Sequence, residues 1–212
     1  MMNREQKITR NWLIGAAGAL LIFLPWMLID SQRSGDALAR AIQNSDLTEA
    51  KRLLDNGADA NTRLTHSWWW RIHNNPPPKS DPDAQLTLLM YAAKNDRADI
   101  MQLLLDYHAD TERRDVSQGW TALEWAVSIP ESVDVEQMLL DHGARIDETD
   151  PKRYNAVTIA SSYGNFKGLK VLVEHGANLN APPNQYGDTP LTAAKRIANK
   201  EMIAYLVSHH SS

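Results

Sequence analysis

Apolar residues recur along the chain, from residue 36 onwards, at the spacing of short amphipathic helices. In the stretch from Thr87 to His108 the apolar residues fall on one face of a first helix and then on one face of a second helix. The predicted inward-facing residues of this pair are Leu89, Ala92, Ala93, Ile100, Leu104 and Leu105. One such pair cannot bury its apolar faces alone, so the pattern predicts packing against neighbouring pairs.

The ends of successive helix pairs share one sequence pattern. Each end has two apolar residues, a helix-stopping position and an alanine, as in LLDNGADAN (53–61), LLDYHADTE (104–112), LLDHGARID (139–147) and LVEHGANLN (172–180). The predicted stops are Gly57, His108, Gly143 and Gly176, and a fifth unit ends near His210. Glycine suits a helix stop because it adopts the left-handed conformation without steric cost. Self-similarity on this scale predicts a solenoid.

A residue type that caps helix N-termini lies twenty-one or twenty-two positions before each stop. The predicted N-caps are Asp36, Thr87, Thr121, Asn155 and Thr189. Their side chains can accept a hydrogen bond from a free backbone N–H of the first helical turn. The caps and stops together predict five helix-turn-helix units.

The segments TPLTAAKRIANKEMIAYLV (189–207), TLLMYAAKNDRADIMQLLLDYHAD (87–110) and TALEWAV (121–127) resemble ankyrin repeats. The resemblance covers about residues 36–210 and implies an all-α solenoid with projecting finger loops, which binds other proteins through a concave groove. The implied repeats are about 36–64, 84–116, 118–150, 152–183 and 186–210.

Two departures from the family pattern are visible. The histidine of the T-P-L-H opening is replaced by Met90, Glu124, Thr158 and Thr192. The resemblance therefore does not extend to the inter-repeat hydrogen bonds of that histidine. The segment SIPES (128–132) also adds one residue to the turn of the third unit.

The spacing between Gly57 and His108 is about seventeen residues longer than the later spacings. The added residues, about 65–83, include SWWWRIHNNPPPKSDPD (67–83), in which the prolines favour an extended conformation. Long loops in compact arrays are commonly functional, so the tryptophans are candidates for a docking surface. The alternative is that they pin the insertion onto the array itself.

An uncharged apolar segment, WLIGAAGALLIFLPWMLI, occupies residues 12–29. As a helix it would be roughly 27 Å long, which is close to the thickness of the hydrocarbon core of a bilayer. Arg4, Lys7 and Arg10 precede it, so the positive-inside rule places the N-terminus in the cytoplasm and the repeats outside. The predicted order is a cytoplasmic leader at 1–11, a transmembrane signal anchor at 12–29, a linker at 30–35 and the repeat domain at 36–210.

A cleaved signal peptide is the alternative interpretation of this segment. The nearest A-x-A cleavage motif is Ala37 to Ala39, and cleavage there would remove the start of the first predicted helix. An uncleaved anchor is therefore favoured. The compact size and the absence of a second predicted domain favour a Gram-negative bacterial protein, held in the inner membrane with its repeats in the periplasm. A type II membrane protein of another kind of organism is the alternative, because it would have the same sequence pattern.

Composition and motifs argue against several functional classes. The net charge of −4 is too low in cations for a general nucleic-acid binder, and the chain has no cysteine for a disulfide or a thiolate metal site. It has no phosphate-binding glycine loop, no H-E-x-x-H and no nucleophile elbow. We therefore expect no enzyme activity, no cofactor, no metal and no small-molecule substrate. An enzyme site around His66 and His73 is the opposing hypothesis.

The candidate partner-binding residues lie in the insertion and in the later finger loops. Trp120 and Tyr154 each precede a predicted N-cap, and the resemblance places that position beside the groove. The full set is Trp68, Trp69, Trp70, Arg71, His73, Arg113, Arg114, Trp120, Tyr154 and Tyr186. Lys152, Asp115 and Asp150 are nearby loop charges, Trp125 is assigned to the core, and His142 and His175 are assigned a structural role.

The predicted function is recognition of another protein by a membrane-anchored repeat array. One role is an accessory scaffold for an envelope protein. The other is an immunity-type inhibitor of a toxin that acts in the periplasm.

Overall fold

The computed structural model describes residues 34–64, 85–130, 133–147, 149–150, 152 and 154–209. Within this part of the chain, short turns join the helices in pairs. The helices are α1 (34–43), α2 (Leu47–Asp55), α3 (Leu88–Lys94), α4 (Ala98–Asp106), α5 (Ala122–Val127), α6 (Val133–Asp141), α7 (Ala156–Tyr163), α8 (Phe166–Glu174), α9 (Pro190–Arg196) and α10 (Lys200–His209). The described residues contain no β-strand, only one isolated antiparallel bridge between Arg63 and Thr87.

The helices stack in two rows. The first helices of successive pairs pack in the order α3, α5, α7 and α9, and the second helices in the order α2, α4, α6 and α8. Within a pair, α3 packs on α4, α5 on α6, α7 on α8 and α9 on α10. The predicted helix-turn-helix solenoid is confirmed.

One continuous apolar core runs between the two rows. The six residues predicted to face inward in the second unit are all buried, so that prediction is confirmed. In four units an alanine five positions after the N-cap is fully buried, namely Ala92, Ala126, Ala160 and Ala194. Because alanine is small, adjacent first helices can pack closely at these positions.

Four of the five predicted N-caps are confirmed. The side chains of Thr87, Thr121, Asn155 and Thr189 each accept the backbone N–H three residues later. At Asn155, for example, Oδ1 accepts from the Thr158 N–H at 2.9 Å. The local capping signal is therefore sufficient to locate these helix starts.

The prediction that Asp36 is an N-cap is wrong. Residue 34 is already helical, so Asp36 lies within α1. An ideal Cβ at Gly35 would lie only 3.1 Å from Thr62 Oγ1, so the lack of a side chain allows this extra turn to lie against Thr62. The first turn of α1 therefore lies next to Thr62, a residue distant in sequence that local helix preference does not take into account.

The predicted helix stops have the left-handed conformation. The φ angles are +87° at Gly57, +60° at His108, +84° at Gly143 and +87° at Gly176. His108 adopts this conformation in spite of its Cβ, which carries a steric cost that glycine avoids. His210 lies outside the described residues.

The same backbone hydrogen bond closes each finger loop, the segment that leads to an N-cap. The N–H of Asp115 donates to the Trp120 carbonyl at 2.8 Å, and the N–H of Asp150 donates to the Tyr154 carbonyl at 2.8 Å. The N–H of Leu64 donates to the Leu86 carbonyl at 2.7 Å in the same way. The described residues on the two sides of the insertion, Leu64 and Leu86, are therefore direct neighbours.

The residues that replace the histidine of the T-P-L-H opening bond within their own unit. The Thr121 N–H donates to Glu124 Oε2 at 2.7 Å, and the Thr189 N–H donates to Thr192 Oγ1 at 2.7 Å. Met90 Sδ accepts from the Thr87 N–H at 3.4 Å. These contacts complete capping boxes, so three of the four replacements stabilise a helix start.

Within the part of the chain that the structure describes, no helix combines the length and apolar character needed to cross a membrane. Residues 12–29 lie outside that part.

Candidate functional site

A pocket of about 330 Å³ lies between the finger loops of the last three units and the first helices of the last two, α7 and α9. Its floor and walls come from residues that are far apart in sequence. They are Gln118, Trp120, Asp150, Lys152, Tyr154, Ile159, Ser162, Tyr163, Tyr186 and Arg196. The pocket brings together three predicted partner-binding residues, Trp120, Tyr154 and Tyr186.

Trp120 forms the buried end of the pocket. Its side chain is 8% exposed, and its indole Nε1 donates to Asp150 Oδ2 of the next finger loop at 3.0 Å. Its ring makes edge-to-face contacts with Trp125 at 5.0 Å and Tyr163 at 6.2 Å between centroids. Aromatic pairs of this geometry are favourable beyond the area they bury. The Trp120 ring is therefore held in one orientation.

Tyr154 and Tyr186 form the more open wall. Their ring centroids are 6.3 Å apart, and Tyr186 is 67% exposed. Burial, together with the nearby charge of Asp188, raises the pKa of the Tyr154 phenol, which therefore stays protonated and able to donate. The open wall presents two aromatic rings to solvent.

Two finger-loop carboxylates shape the loops. Asp115 Oδ1 accepts backbone N–H groups from Ser117 at 2.7 Å and Gln118 at 2.6 Å. Burial alone would raise the pKa of Asp115, but these bonds and one from Trp125 lower it below its usual value. Asp150 Oδ1 accepts the N–H of Lys152 at 2.8 Å in the same manner. Both residues lie in the finger loops, as predicted, and both are buried, so their carboxylates hold the loops in shape.

Arg113 and Arg114, two of the three arginines predicted to bind a partner, contact the array itself. Arg114 Nη1 donates to the Gly119 carbonyl at 2.8 Å and lies 3.5 Å from Glu124 Oε2. The exposed Arg113 pairs with Asp110 at 3.8 Å and donates to the Asn61 carbonyl at 3.3 Å. Neither arginine lines the pocket.

Trp125, which was assigned to the core, lies at the edge of the core. It is half-buried, and its Nε1 donates to Asp115 Oδ2 at 2.9 Å. Lys94 Nζ lies 4.8 Å from the centroid of its ring. Trp125 therefore contacts both the Trp120 ring and the carboxylate that shapes the finger loop, and helps to fix the position of both.

The sequence did not single out Glu124 as a buried charge. Its carboxylate accepts from the Thr121 N–H, and Oε1 has no hydrogen-bond partner among the described residues. Burial raises the pKa of Glu124 to about 7. Its position at the third helical residue is the one signal that could have identified it as a cap partner.

Several of the residues considered in the sequence analysis are not part of this pocket. Trp68, Trp69, Trp70, Arg71, His66 and His73 lie outside the described residues. His142 Nδ1 and His175 Nδ1 lie 2.8 Å and 2.9 Å from the carbonyl four residues earlier, as expected for side chains at helix ends. The described residues contain no group of three or more acidic or histidine side chains that could hold a metal.

Comparison with known proteins gives the same architecture. A family model described as ankyrin repeats (3 copies) matches residues 38–150 and again 135–212. The chain is 35% identical over 119 residues to ankyrin repeat domain-containing protein SAT10 of Stachybotrys chartarum, which covers 56% of this chain and 6% of that protein. It is 33% identical over 118 residues to human ankyrin repeat and SOCS box protein 6, which covers 53% of this chain and 28% of that protein.

A third relative is human ankyrin repeat and KH domain-containing protein 1, which is 35% identical over 106 residues, or 49% of this chain and 4% of that protein. The chain thus spans less than a third of the length of each of these relatives. The shared part is the repeat array. With the family model matching most of its length, this chain belongs to the ankyrin repeat family, whose members are generally non-catalytic protein-interaction modules.

Proposed function

We propose that this protein recognises a partner protein through the pocket formed by Trp120, Tyr154 and Tyr186. The supporting observation is that Trp120 and Tyr154, at equivalent positions in adjacent units, and Tyr186 of the last finger loop contribute aromatic side chains to one cavity of about 330 Å³. That volume is at the small end of the range of about 300–1,000 Å³ for ligand sites, and it suits one or two side chains of a partner. Tyrosine, tryptophan and arginine are the residues enriched at interface hot spots.

The proposal extends to cellular location. Residues 12–29 anchor the protein in the inner membrane, the N-terminus is cytoplasmic, and the repeats face the periplasm of a Gram-negative bacterium. The support is the length of the apolar segment and the excess of cations before it. In that location the protein acts as an accessory scaffold that holds or assists an envelope protein.

The pocket is tested by capture of the partner from a detergent-solubilised envelope fraction of the source organism. The bait is the full chain, compared with Tyr186→Ala and with Val207→Ala. Tyr186 and Val207 are both exposed apolar side chains, but only Tyr186 lines the pocket. We expect Tyr186→Ala to lower retention of the partner by about tenfold. This corresponds to about 1.4 kcal/mol, which is more than most interface residues contribute. Equal retention by all three baits contradicts the pocket as the binding site.

The scaffold role and the inhibitor role predict different effects on the captured protein when the repeat protein is absent. For a scaffold, deletion of this protein lowers the amount or activity of the captured envelope protein. If the captured protein instead stops growth when exported without this protein, the inhibitor role replaces the scaffold.

A further inference from the structure

The pocket carries charges as well as aromatic rings. Lys152 and Arg196 contribute the cations, and Asp150 contributes a carboxylate. Which of these charges is already compensated within the array decides what kind of partner group the pocket can accept.

Asp150 is committed to the fold. Its Oδ1 accepts the N–H groups of Lys152 and Tyr154, both at 2.8 Å, and its Oδ2 accepts Trp120 Nε1 at 3.0 Å. The residue is 4% exposed. Three N–H groups of the array thus occupy most of the acceptor sites of this carboxylate and hold it away from solvent.

The Lys152 ammonium group has a neutral partner. Its Nζ donates to the amide oxygen of Gln118 at 2.9 Å, and no carboxylate of the described residues forms an ion pair with it. An ammonium group has three donors, so two stay available for a ligand. Lys152 is half-buried, where an added counter-ion is screened less than at a fully exposed site.

Arg196 of α9 is the second cation among the described residues that line the pocket. Its Nη2 lies 3.2 Å from Asp188 Oδ2, and its side chain is 58% exposed. One carboxylate cannot use all five N–H donors of a guanidinium group, so Arg196 retains donors for a second acceptor.

Building on the proposed function, we propose that the pocket receives an aspartate or glutamate side chain of the partner protein, whose carboxylate pairs with the Lys152 ammonium group. Tyr154 and Tyr186 pack against the methylene groups and the flanking backbone of that residue. One uncompensated ammonium group matches a single negative charge. A cationic side chain would meet aromatic rings, but it would also be repelled by Lys152 and Arg196. Among the described lining residues the one carboxylate, Asp150, is buried and already accepts three N–H groups.

The test uses the full chain in detergent micelles and two blocked peptides, N-acetyl-Phe-Glu-Phe-amide and N-acetyl-Phe-Gln-Phe-amide. The peptides differ only in charge. Affinities are measured by isothermal titration for the wild type, Lys152→Gln, Lys152→Arg and Lys200→Gln. Lys200 is an exposed lysine at the start of α10, outside the pocket, and it serves as the matched control.

We expect the wild type to bind the Glu peptide about tenfold more tightly than the Gln peptide, as for a partly desolvated charge pair. This preference disappears in Lys152→Gln and persists in Lys152→Arg and Lys200→Gln. Equal affinities in the wild type, a preference that survives Lys152→Gln, or no binding of the Glu peptide at millimolar concentration each overturns the proposal. Tighter binding of a matching Phe-Lys-Phe peptide does so as well and identifies a cation site instead.

Capture of the natural partner separates this inference from the proposed function. If Lys152→Gln lowers retention as much as Tyr186→Ala does, the result supports both the pocket as the binding site and the carboxylate as its ligand. If Tyr186→Ala lowers retention and Lys152→Gln does not, the pocket still binds the partner, but the carboxylate assignment is wrong.

Discussion

Glu136 of α6 lies directly against Gly168 of α8 in the next unit. An ideal Cβ at Gly168 would lie 2.5 Å from both Glu136 Oε2 and Asn165 Nδ2. Asn165 Nδ2 donates to Glu136 Oε1 at 2.6 Å, and Glu136 is fully buried. The carboxyl group of one unit thus occupies the space that a side chain at Gly168 would need.

We expect Gly168→Ala to lower the free energy of unfolding. Alanine is normally the better helix residue by about 0.5–1 kcal/mol, whereas overpacking here costs about 1–3 kcal/mol. Urea denaturation of the purified protein measures the change. In a Glu136→Ala background the contact with the carboxylate is removed and only the contact with Asn165 Nδ2 stays, so Gly168→Ala should then destabilise the protein less than it does in the wild type. The same destabilisation in both backgrounds would show that the contact with Glu136 is not the cause.

Glu136 is also expected to make stability depend on pH. Burial raises its pKa to about 7, although its hydrogen bond from Asn165 acts in the opposite direction. Since the folded state holds this proton more tightly than the unfolded state does, stability decreases as the pH rises from about 4.5 to about 7. The full shift corresponds to about 3 kcal/mol.

Glu136→Gln should remove this contribution, because the amide resembles the protonated acid and does not ionise. Its unfolding free energy should exceed that of the wild type near pH 8 and approach it near pH 5. Burial also raises the pKa of Glu124 to about 7, so the stability of this variant should still decrease with pH, but less steeply than that of the wild type. Parallel stability curves for the wild type and Glu136→Gln would contradict the expectation.

His108 provides a test of the helix stops. Its φ of +60° is costly for a residue with a Cβ, so His108→Gly should stabilise the protein by about 1 kcal/mol. The reciprocal control is Gly143→Ala, which should destabilise by a similar amount. No atom lies within 4 Å of a Cβ at Gly143, so that variant reports backbone strain alone. The midpoint of urea denaturation measures both changes.

The tryptophans of the insertion are expected to bind the partner. Combined replacement of Trp68, Trp69 and Trp70 by alanine should abolish partner capture, because exposed tryptophans are typical hot-spot residues. The melting temperature of the repeats should change little. If the melting temperature falls sharply and the protein that stays folded still captures the partner, the tryptophans instead pin the insertion onto the array.

Membrane orientation can be read from a reporter. Alkaline phosphatase fused after Ser212 should be active in a Gram-negative host, because the enzyme needs disulfides that form outside the cytoplasm. A fusion that lacks residues 1–29 is the control and should be inactive. An inactive full-length fusion would place the repeats in the cytoplasm.

The helix starts and stops could be predicted from the sequence because they depend on neighbouring residues. A capping side chain acts within three residues, as at Thr121, and a left-handed stop such as Gly143 depends on its own backbone. Asp36 shows the limit of such signals, because residue 34 is already helical and this first turn lies next to Thr62, which is distant in sequence.

The state of the charged residues was decided by tertiary structure. Glu136 occupies the position in its unit that the buried Met101 occupies in the second unit, four residues before an apolar residue of the helix end. The space for its carboxyl group, however, is provided by Gly168 of the next unit. Asp150 looks like a surface charge in the sequence and is buried under three N–H groups in the fold.

The sequence alone was enough to predict the number of units, their helices and the aromatic residues that precede the N-caps. The pocket itself, and the neutral partner of Lys152 within it, required the stacked structure, because residues of three units meet there only after the helices have packed. Local backbone preferences act over a few residues, whereas burial and charge compensation depend on groups brought together from distant parts of the chain.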